Sequence, residues 1–258
     1  KWLKKRQLKM YSVTMTTMMN GKYLGYFGHS EIGPSHVKNN VNNQDAWCIK
    51  YFDWGQVIVV SDGVGSKLLS EFGSKAVCQA AIKLAHFWHE NINYQPEVLL
   101  SKFHEYWIDA LENRNPNQCS CTSLWVIHCH GLIFMAQLGD GLLSFINKQG
   151  EVGFLIDNFN EVSFSNQTFA LQENHHEKQW NWKISSAEEF TSFLLMTDGI
   201  SDDLLQEQKT SFVKGVVERY STLDREQAKE EIQWWLKSWP VPNHQDDKTI
   251  ACIYTVKD

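Results

Sequence analysis

The sequence predicts an α+β fold in which two antiparallel β-sheets pack face to face and α-helices cover their outer faces. Short apolar runs, rich in β-branched and aromatic residues, alternate with turns that contain Gly or Asn. Longer segments with a helical period occur in the middle of the chain and again near its end. Strands therefore stand on both sides of two helical blocks, an order that suits two packed sheets with helices outside.

The composition narrows the class of protein. The chain has 258 residues, of which 43% are hydrophobic and 13% aromatic, enough for a large core. A net charge of −6 argues against nucleic acid as the main partner. No apolar run reaches the ~18 residues that cross a membrane, and no apolar stretch follows the basic start as in a secretory signal. We expect a cytoplasmic protein with a flexible basic tail over residues 1–10 and a single domain over residues 11–258.

The predicted strands follow from local signals. Asn20-Gly21, a strong hairpin signal, separates strands at 11–18 and 22–27. Residues 28–45 are polar and lack a period, which predicts a loop that carries functional groups. Residues 157–189 also lack a period and are expected to form a long connection or a segment that covers a site. The remaining predicted strands are 46–52, 56–60, 122–129, 132–138, 142–146, 152–156, 193–196 and 249–254.

Four segments have the period of helices. Residues 67–90 place apolar side chains about every 3.6 positions, and the next helix begins near Pro96, which a first turn tolerates. Residues 204–220 form the third helix. The fourth begins at Asp224, whose side chain can cap it, and ends near Pro240. His86 and His89 fall near the end of the first helix, and we assign them no metal role.

Acidic residues recur at the ends of the predicted strands. Asp62, Asp140 and Asp198 each follow an apolar run and precede a glycine, whereas Asp45 and Asp246 stand just before a strand. Because the end of one antiparallel strand lies beside the start of its neighbour, these acids can share one edge. Asp-Gly is also an ordinary turn dipeptide. Five such acids together favour a cation site, since clustered carboxylates repel one another without a cation, and oxygen ligands suit Mg²⁺ or Mn²⁺.

A zinc site is the alternative metal interpretation. Cys119-Ser-Cys121 stands in the same part of the chain as His128-Cys129-His130. The Cys-x-Cys spacing is not that of a zinc finger, and His128 and Cys129 fall on opposite faces of a predicted strand. We therefore expect reduced thiols, which fit the cytoplasm, and no zinc among these residues.

Five motifs carry the acids in a fixed order along the chain. They are Ser35-His36 with Asn43-Gln44-Asp45-Ala46, Val60-Ser61-Asp62-Gly63-Val64-Gly65, Leu138-Gly139-Asp140-Gly141, Met196-Thr197-Asp198-Gly199-Ile200-Ser201-Asp202 and Asp246-Asp247-Lys248-Thr249. Together they resemble the motifs of the protein phosphatase 2C family, and look closest to those of its bacterial members. The resemblance implies a four-layer αββα sandwich and a metal-dependent serine/threonine phosphatase. It also implies a pair of Mg²⁺ or Mn²⁺ ions at one end of the sheets.

The resemblance implies a role for each matching residue. Asp62 would bridge the two ions, the Gly63 carbonyl would bind one of them, and Asp198 and Asp246 would hold the other. Asp62, Asp198 and Asp246 are the predicted catalytic residues.

Three further acids match outer positions of the family's metal site. Asp45 would stand in the first or second coordination shell. Asp140 and Asp202 match positions that in many members help to bind a third, weaker ion. Residues 157–189 lie near the place where the family has its variable flap, which suggests a role in substrate choice.

Two positions depart from the family pattern. Gln44 stands where many members have Glu, and Asn40 where many have an Arg that binds phosphate. A neutral amide is the poorer cation ligand. His36 and Lys38 are the predicted phosphate-binding residues in place of the Arg.

The leading prediction is hydrolysis of phosphoserine or phosphothreonine on a protein by metal-activated water, without a protein nucleophile. The implied partner is a phosphorylated protein, the product of a serine/threonine kinase. One alternative is a phosphatase-like module that binds a phosphorylated partner without turnover, as Gln44 and the missing Arg suggest. A phosphatase of small molecules also stays open, because fold and metal chemistry do not fix the substrate.

Overall fold

The computed structural model describes residues 25–156, 169–174, 176–242 and 244–256, which contain two five-stranded antiparallel sheets. The first sheet has the strand order β1-β10-β9-β6-β7, and the second has the order β2-β3-β4-β5-β8. The strands are β1 Gly25–Glu31, β2 Ala46–Phe52, β3 Gly55–Ser61, β4 Ser123–Cys129, β5 Leu132–Leu138, β6 Leu142–Asn147, β7 Val152–Phe154, β8 Asn181–Ser186, β9 Phe190–Met196 and β10 Lys248–Tyr254.

The α-helices of the described residues are α1 Pro34–Asn39, α2 Ser70–Glu90, α3 Pro96–Ala110, α4 Asp198–Ser201, α5 Gln206–Ser221 and α6 Arg225–Lys237. The four long ones cover the outer faces of the sheets. Helices α2 and α3 pack on the second sheet, whereas α5 and α6 pack on the first. The predicted four-layer αββα sandwich is thereby confirmed. In the part of the chain that the structure describes, none of the helices has both the length and the apolar character needed to cross a lipid bilayer.

Strand β3 shows why the strands at the centre of the second sheet are apolar throughout. Val57 and Val59 point towards α2, while Ile58 and Val60 point towards the first sheet, and all four are fully buried. Burying each such side chain stabilises the fold by about 1.5–3 kcal/mol. Both faces of β3 are covered, so its sequence lacks the polar alternation of a surface strand.

The predicted loop over residues 28–45 is more regular than the sequence suggests. Strand β1 continues to Glu31 because its backbone pairs with β10 along its whole length. Helix α1 follows, with Pro34 in its first turn, and Asn40 ends it in a left-handed conformation with φ 54°. Asn tolerates that conformation better than most residues. The predicted tail 1–10, the strand 11–18 and the Asn20-Gly21 turn lie outside the described residues.

The predicted connection over residues 157–189 contains a strand that the sequence analysis missed. Residues 157–168 and 175 lie outside the described part, but β8 pairs with β5 and forms an edge of the second sheet. Most side chains of β8 are exposed or half-buried, Trp182 among them. Only Trp182 and Ile184 alternate with polar residues in β8, and this short signal does not stand out in a polar segment.

Candidate metal centre

Neighbouring strands of the second sheet bring two of the acids together. Asp45 precedes β2 and Asp62 follows β3, and the pairing of these strands sets Ala46 opposite Ser61. The backbone N–H of Gly63 donates a 3.1 Å hydrogen bond to the carbonyl oxygen of Gln44. Strand pairing on one side of the two carboxylates and this hydrogen bond on the other side therefore hold the start of β2 against the end of β3.

The first sheet contributes the opposite wall of the site. Asp198 follows β9, and β10, which Asp246 precedes, pairs with β9 at Met196 and Ile250. Gly199 makes a close approach possible, because a Cβ atom at this position would clash with the backbone of Asp247. The start of α4 can therefore approach the residues before β10 this closely only because position 199 is a glycine.

Three carboxyl groups lie against one another at the centre of this edge. Burial raises the pKa of Asp45 to about 7 and that of Asp198 to about 6. Burial first, and the charges of Asp45 and Asp198 next, raise the pKa of Asp62 well above its ordinary value. Asp62 stands between the other two, so the three groups cannot all be ionised at neutral pH without a compensating cation.

Unpaired oxygens identify where a cation fits. Oδ1 of Asp45, Oδ1 of Asp198 and Oε1 of Gln44 are buried, and among the described residues none of these atoms has a hydrogen-bond partner. Buried polar atoms without partners are costly and rare in proteins. Three buried oxygen atoms without partners, together with carboxyl groups whose pKa values are raised, suit a hard divalent cation such as Mg²⁺ or Mn²⁺.

The remaining predicted acids surround Asp198. Asp140, Asp246 and Asp202 each raise the pKa of Asp198 through their negative charges, after the larger effect of burial. Asp198, Asp202 and Asp246 line a cavity of about 290 Å³, with His244 on its wall. The structure therefore brings all six predicted acids to one edge of the sandwich, with Asp202 and Asp246 towards solvent.

Asp247 is a site residue that the sequence analysis did not single out. Its buried carboxylate accepts hydrogen bonds from the backbone N–H of Gly33 at 2.6 Å and of Gln44 at 2.7 Å, and its Oδ2 lies 2.9 Å from Nδ1 of His36. It holds the segment before β2 against the start of β10. The two consecutive acids Asp246 and Asp247 were the available signal. Successive residues of an extended chain point in opposite directions, so the two carboxylates have different surroundings and different roles.

The predicted phosphate-binding residues stand at the rim. His36 is tied to Asp247 through Nδ1, so Nε2 is the nitrogen left to meet a ligand. Lys38 is exposed on α1 and lines a neighbouring cavity of about 400 Å³ together with Lys237 and Lys248. Asn40, which the sequence resemblance matches to the family's Arg, ends α1. A role of His36 or Lys38 in phosphate binding stays a prediction.

The structure separates the residues of the zinc interpretation. Cys121 pairs through its backbone with Gly63, at the acidic edge, whereas Cys129 lies at the far end of β4 and packs beneath the helices. All six cysteines are free thiols. Cys119 and Cys121 are therefore separated from the 128–130 segment, whereas Cys129 and His130 meet His89, to which the sequence pattern assigned no metal role.

Comparisons with known proteins agree with this architecture. The sequence profile of the protein phosphatase 2C family matches residues 32–237, about four-fifths of the chain. No curated protein gives a significant match to the sequence.

Solved structures of low sequence identity share the fold. The catalytic domain of the serine threonine protein phosphatase PstP in complex with two manganese ions has a TM-score of 0.60 and 16% identity, covering 90% of this chain and 98% of that one. The serine/threonine phosphatase Stp1 from Staphylococcus aureus has a TM-score of 0.57 and 17% identity, covering 92% and 97%. RsbX in complex with magnesium has a TM-score of 0.55 and 12% identity, covering 89% and 94%.

The αββα sandwich is thus a fold that this chain shares with these phosphatases. The chain belongs to the protein phosphatase 2C family, and its class is therefore that of the serine/threonine phosphatases, which are hydrolases.

Proposed function

We propose that this protein hydrolyses phosphoserine or phosphothreonine on protein substrates at the acidic edge, with two bound Mg²⁺ or Mn²⁺ ions. The observation that carries the proposal is the contact of Asp62 with Asp45 and Asp198, combined with the unpaired oxygens beside it. Buried carboxylates in this arrangement need a cation, and the ligand atoms at hand are all oxygens.

The proposed ligands divide into an inner and an outer set. Asp62 would bridge the ions, the Gly63 carbonyl would bind one ion, and Asp198 and Asp246 the other. The outer set is Asp45, next to the inner ligands, and Asp140 with Asp202 at a third, weaker site. When bound, the ions would supply an activated water and neutralise charge on the phosphoryl group.

Gln44 and His36 complete the proposed site. The Oε1 atom of Gln44 is buried and has no hydrogen-bond partner in the described structure, so it would act as a neutral oxygen ligand in place of a carboxylate. His36, positioned by Asp247, would offer Nε2 to the phosphate, and Lys38 would add positive charge at the rim. These residues orient the phosphate ester while the acids hold the ions.

The exposure of the edge favours a protein substrate. Asp202 and Asp246 face solvent, so a phosphorylated side chain on the surface of a partner can reach the acids without entering a closed cavity. A serine/threonine kinase would produce such a substrate. We propose a signalling role in the cytoplasm, where thiols stay reduced, as the six free cysteines suggest.

A phosphate-release assay tests the proposal. Metal-stripped protein is incubated with a phosphothreonine peptide, and Mn²⁺ or Mg²⁺ is added back. We expect release only with metal, and a loss of at least about 100-fold in Asp62→Asn. Asp53→Asn is the matched control, since Asp53 is exposed in the β2–β3 turn at the opposite end of the sheet.

Two outcomes would contradict the proposal. Full activity of Asp62→Asn would show that the acidic edge is not the catalytic site. Phosphopeptide binding by folded protein, without release in either metal, would favour the binding module instead.

A further inference from the structure

A second cluster of metal-ligand side chains lies at the other end of the second sheet. His89 stands in the last turn of α2, Cys129 ends β4, and His130 occupies the turn between β4 and β5. One ligand atom from each of these three residues lies within 4.8 Å of the other two. Two separate parts of the fold, the end of α2 and the β4–β5 hairpin, therefore converge on one point.

The two imidazoles face each other through their nitrogens. Nδ1 of His89 lies 2.7 Å from Nε2 of His130, and the rings are stacked at a centroid distance of 4.7 Å. One of the two nitrogens must carry a proton in this contact. If a metal ion replaced that proton, both nitrogens would donate a lone pair to the ion. The contact thus presents both nitrogens to a single point on the protein surface.

Packing holds the rings in place. Trp54, in the β2–β3 turn, stacks on His89 with a centroid distance of 4.1 Å and an angle of 6°. The backbone N–H of His130 donates to the carbonyl oxygen of Trp54, and His130 adopts a left-handed conformation with φ 48°. Cys129 is fully buried in the core beneath α2. The ligand atoms are therefore arranged before any ion arrives, which favours binding.

We propose that His89, Cys129 and His130 bind one Zn²⁺ ion, with water in the remaining position. Two imidazoles and a thiolate are ligands for zinc and related transition metals, not for Mg²⁺. In a tetrahedral zinc site the donor atoms stand about 3.4–3.6 Å apart, so the cluster needs only small movements to close around an ion. The imidazoles bind as neutral ligands, and the Cys129 thiol releases its proton to solvent on binding.

This site is separate from the acidic edge. Strand β4 begins beside Asp62, where Thr122 hydrogen-bonds to its backbone, and ends at Cys129. Seven extended residues span roughly 20 Å. The ion would join the end of α2 to the β4–β5 hairpin without touching the proposed catalytic residues, so the inference does not depend on the proposed function.

Cobalt substitution gives a readout that is independent of activity. Metal-stripped full-length protein is saturated with Mg²⁺, which occupies sites made of oxygens, and is then titrated with Co²⁺. We expect one Co²⁺ per chain with a thiolate-to-cobalt absorption band in the near ultraviolet, and displacement of that band by one equivalent of Zn²⁺. The band is expected to disappear in Cys129→Ala.

The histidines are tested by variants that keep the backbone. His130→Asn retains a residue that tolerates the left-handed conformation, and His89→Gln retains a helix-compatible side chain. Each is expected to weaken Co²⁺ binding at least tenfold. Cys48→Ala, on β2, and His104→Ala, on α3, remove a thiol and an imidazole elsewhere and should leave the band and the affinity unchanged.

Three results would overturn the proposal. They are no thiolate band in the folded wild-type protein, a band that persists in Cys129→Ala, and unchanged affinity in both histidine variants. If Cys129→Ala does not fold, His130→Asn still decides the matter, because His130 is exposed on a turn and its replacement leaves the core intact.

Discussion

Oγ1 of Thr197 donates a 3.0 Å hydrogen bond to Oδ2 of Asp45, which links the end of β9 in one sheet to the start of β2 in the other. The same hydroxyl accepts a 3.0 Å hydrogen bond from the backbone N–H of Thr249 in β10. One buried hydroxyl group therefore sets the position of Asp45 relative to both strands of the first sheet that carry acids.

Replacing this hydroxyl is expected to weaken the metal site. Thr197→Val keeps the shape of the side chain but removes the donor to Asp45 and the acceptor for Thr249. Residues that orient metal ligands typically contribute 10–100-fold to affinity, so we expect a rise of about tenfold or more in the Mn²⁺ concentration for half-maximal activity. Thr191→Val in the same strand is the control, since its hydroxyl bonds to the backbone of Ile146 away from the acids. Equal Mn²⁺ dependence in the two variants would contradict this role.

Asp247 is expected to matter for both folding and activity. In Asp247→Asn an amide group replaces one oxygen that now accepts hydrogen bonds, so at least one buried N–H loses its acceptor. Losing a hydrogen bond to a charged group costs about 1.5–3 kcal/mol, which urea unfolding can measure. An unchanged unfolding midpoint would show that the segment before β2 does not depend on Asp247.

A variant of His36 can distinguish a role in stability, through Asp247, from a role in phosphate binding. Because its Nδ1 is committed to Asp247, we expect His36→Ala to lower thermal stability and kcat as well as to raise KM for a phosphopeptide. His29→Ala is the matched control, since His29 pairs with Glu31 on the neighbouring strand β1. A rise in KM alone, with stability intact, would mean that His36 serves only to bind phosphate.

The carboxylate cluster predicts an unusual pH dependence for the metal-free protein. The pKa of Asp45 is raised to about 7 and that of Asp198 to about 6, from an ordinary value of 3.8. Between pH 4 and pH 7 the folded state therefore binds more protons than the unfolded state, and stability falls as pH rises through this window. We expect the Tm of metal-stripped protein to be at least about 5 °C lower at pH 8 than at pH 5.

Added Mn²⁺ and two variants provide the controls for this pH dependence of Tm. Mn²⁺ should stabilise the protein more at pH 8 than at pH 5, because the ionised carboxylates bind it. Asp45→Asn should flatten the pH dependence of Tm, and Asp53→Asn should keep it. A metal-free protein that grows more stable between pH 5 and pH 8 would show that the three acids are not in contact.

The neutral residue Gln44 offers a gain-of-function test. Its Oε1 is buried without a hydrogen-bond partner in the described structure. Gln44→Glu places a charged ligand at this point, and we expect about tenfold tighter Mn²⁺ binding together with a less stable metal-free protein. Gln95→Glu adds the same charge at an exposed position before α3. If both variants bind Mn²⁺ equally, Gln44 does not face the ion.

The sequence predicts the layers and the meeting of the acids because both follow from strand order and from the apolar runs before Asp62, Asp140 and Asp198. It does not predict β8, since only two apolar residues, Trp182 and Ile184, mark this exposed edge strand. It also does not predict the buried bonds of Asp247 or the contact of His89 with His130. Those contacts join residues 203 and 41 positions apart, and only the packed fold defines them.

Counting the Mn²⁺ ions bound by the metal-stripped protein tests the central claim most directly. Electron paramagnetic resonance measures free Mn²⁺ during a titration of the full chain, without any substrate. We expect two ions per chain in the wild-type protein and in Asp53→Asn, and loss of at least one of them in Asp62→Asn. Two ions bound by a folded Asp62→Asn variant, or none bound by the folded wild-type protein, would contradict the assignment of the acidic edge as a metal centre.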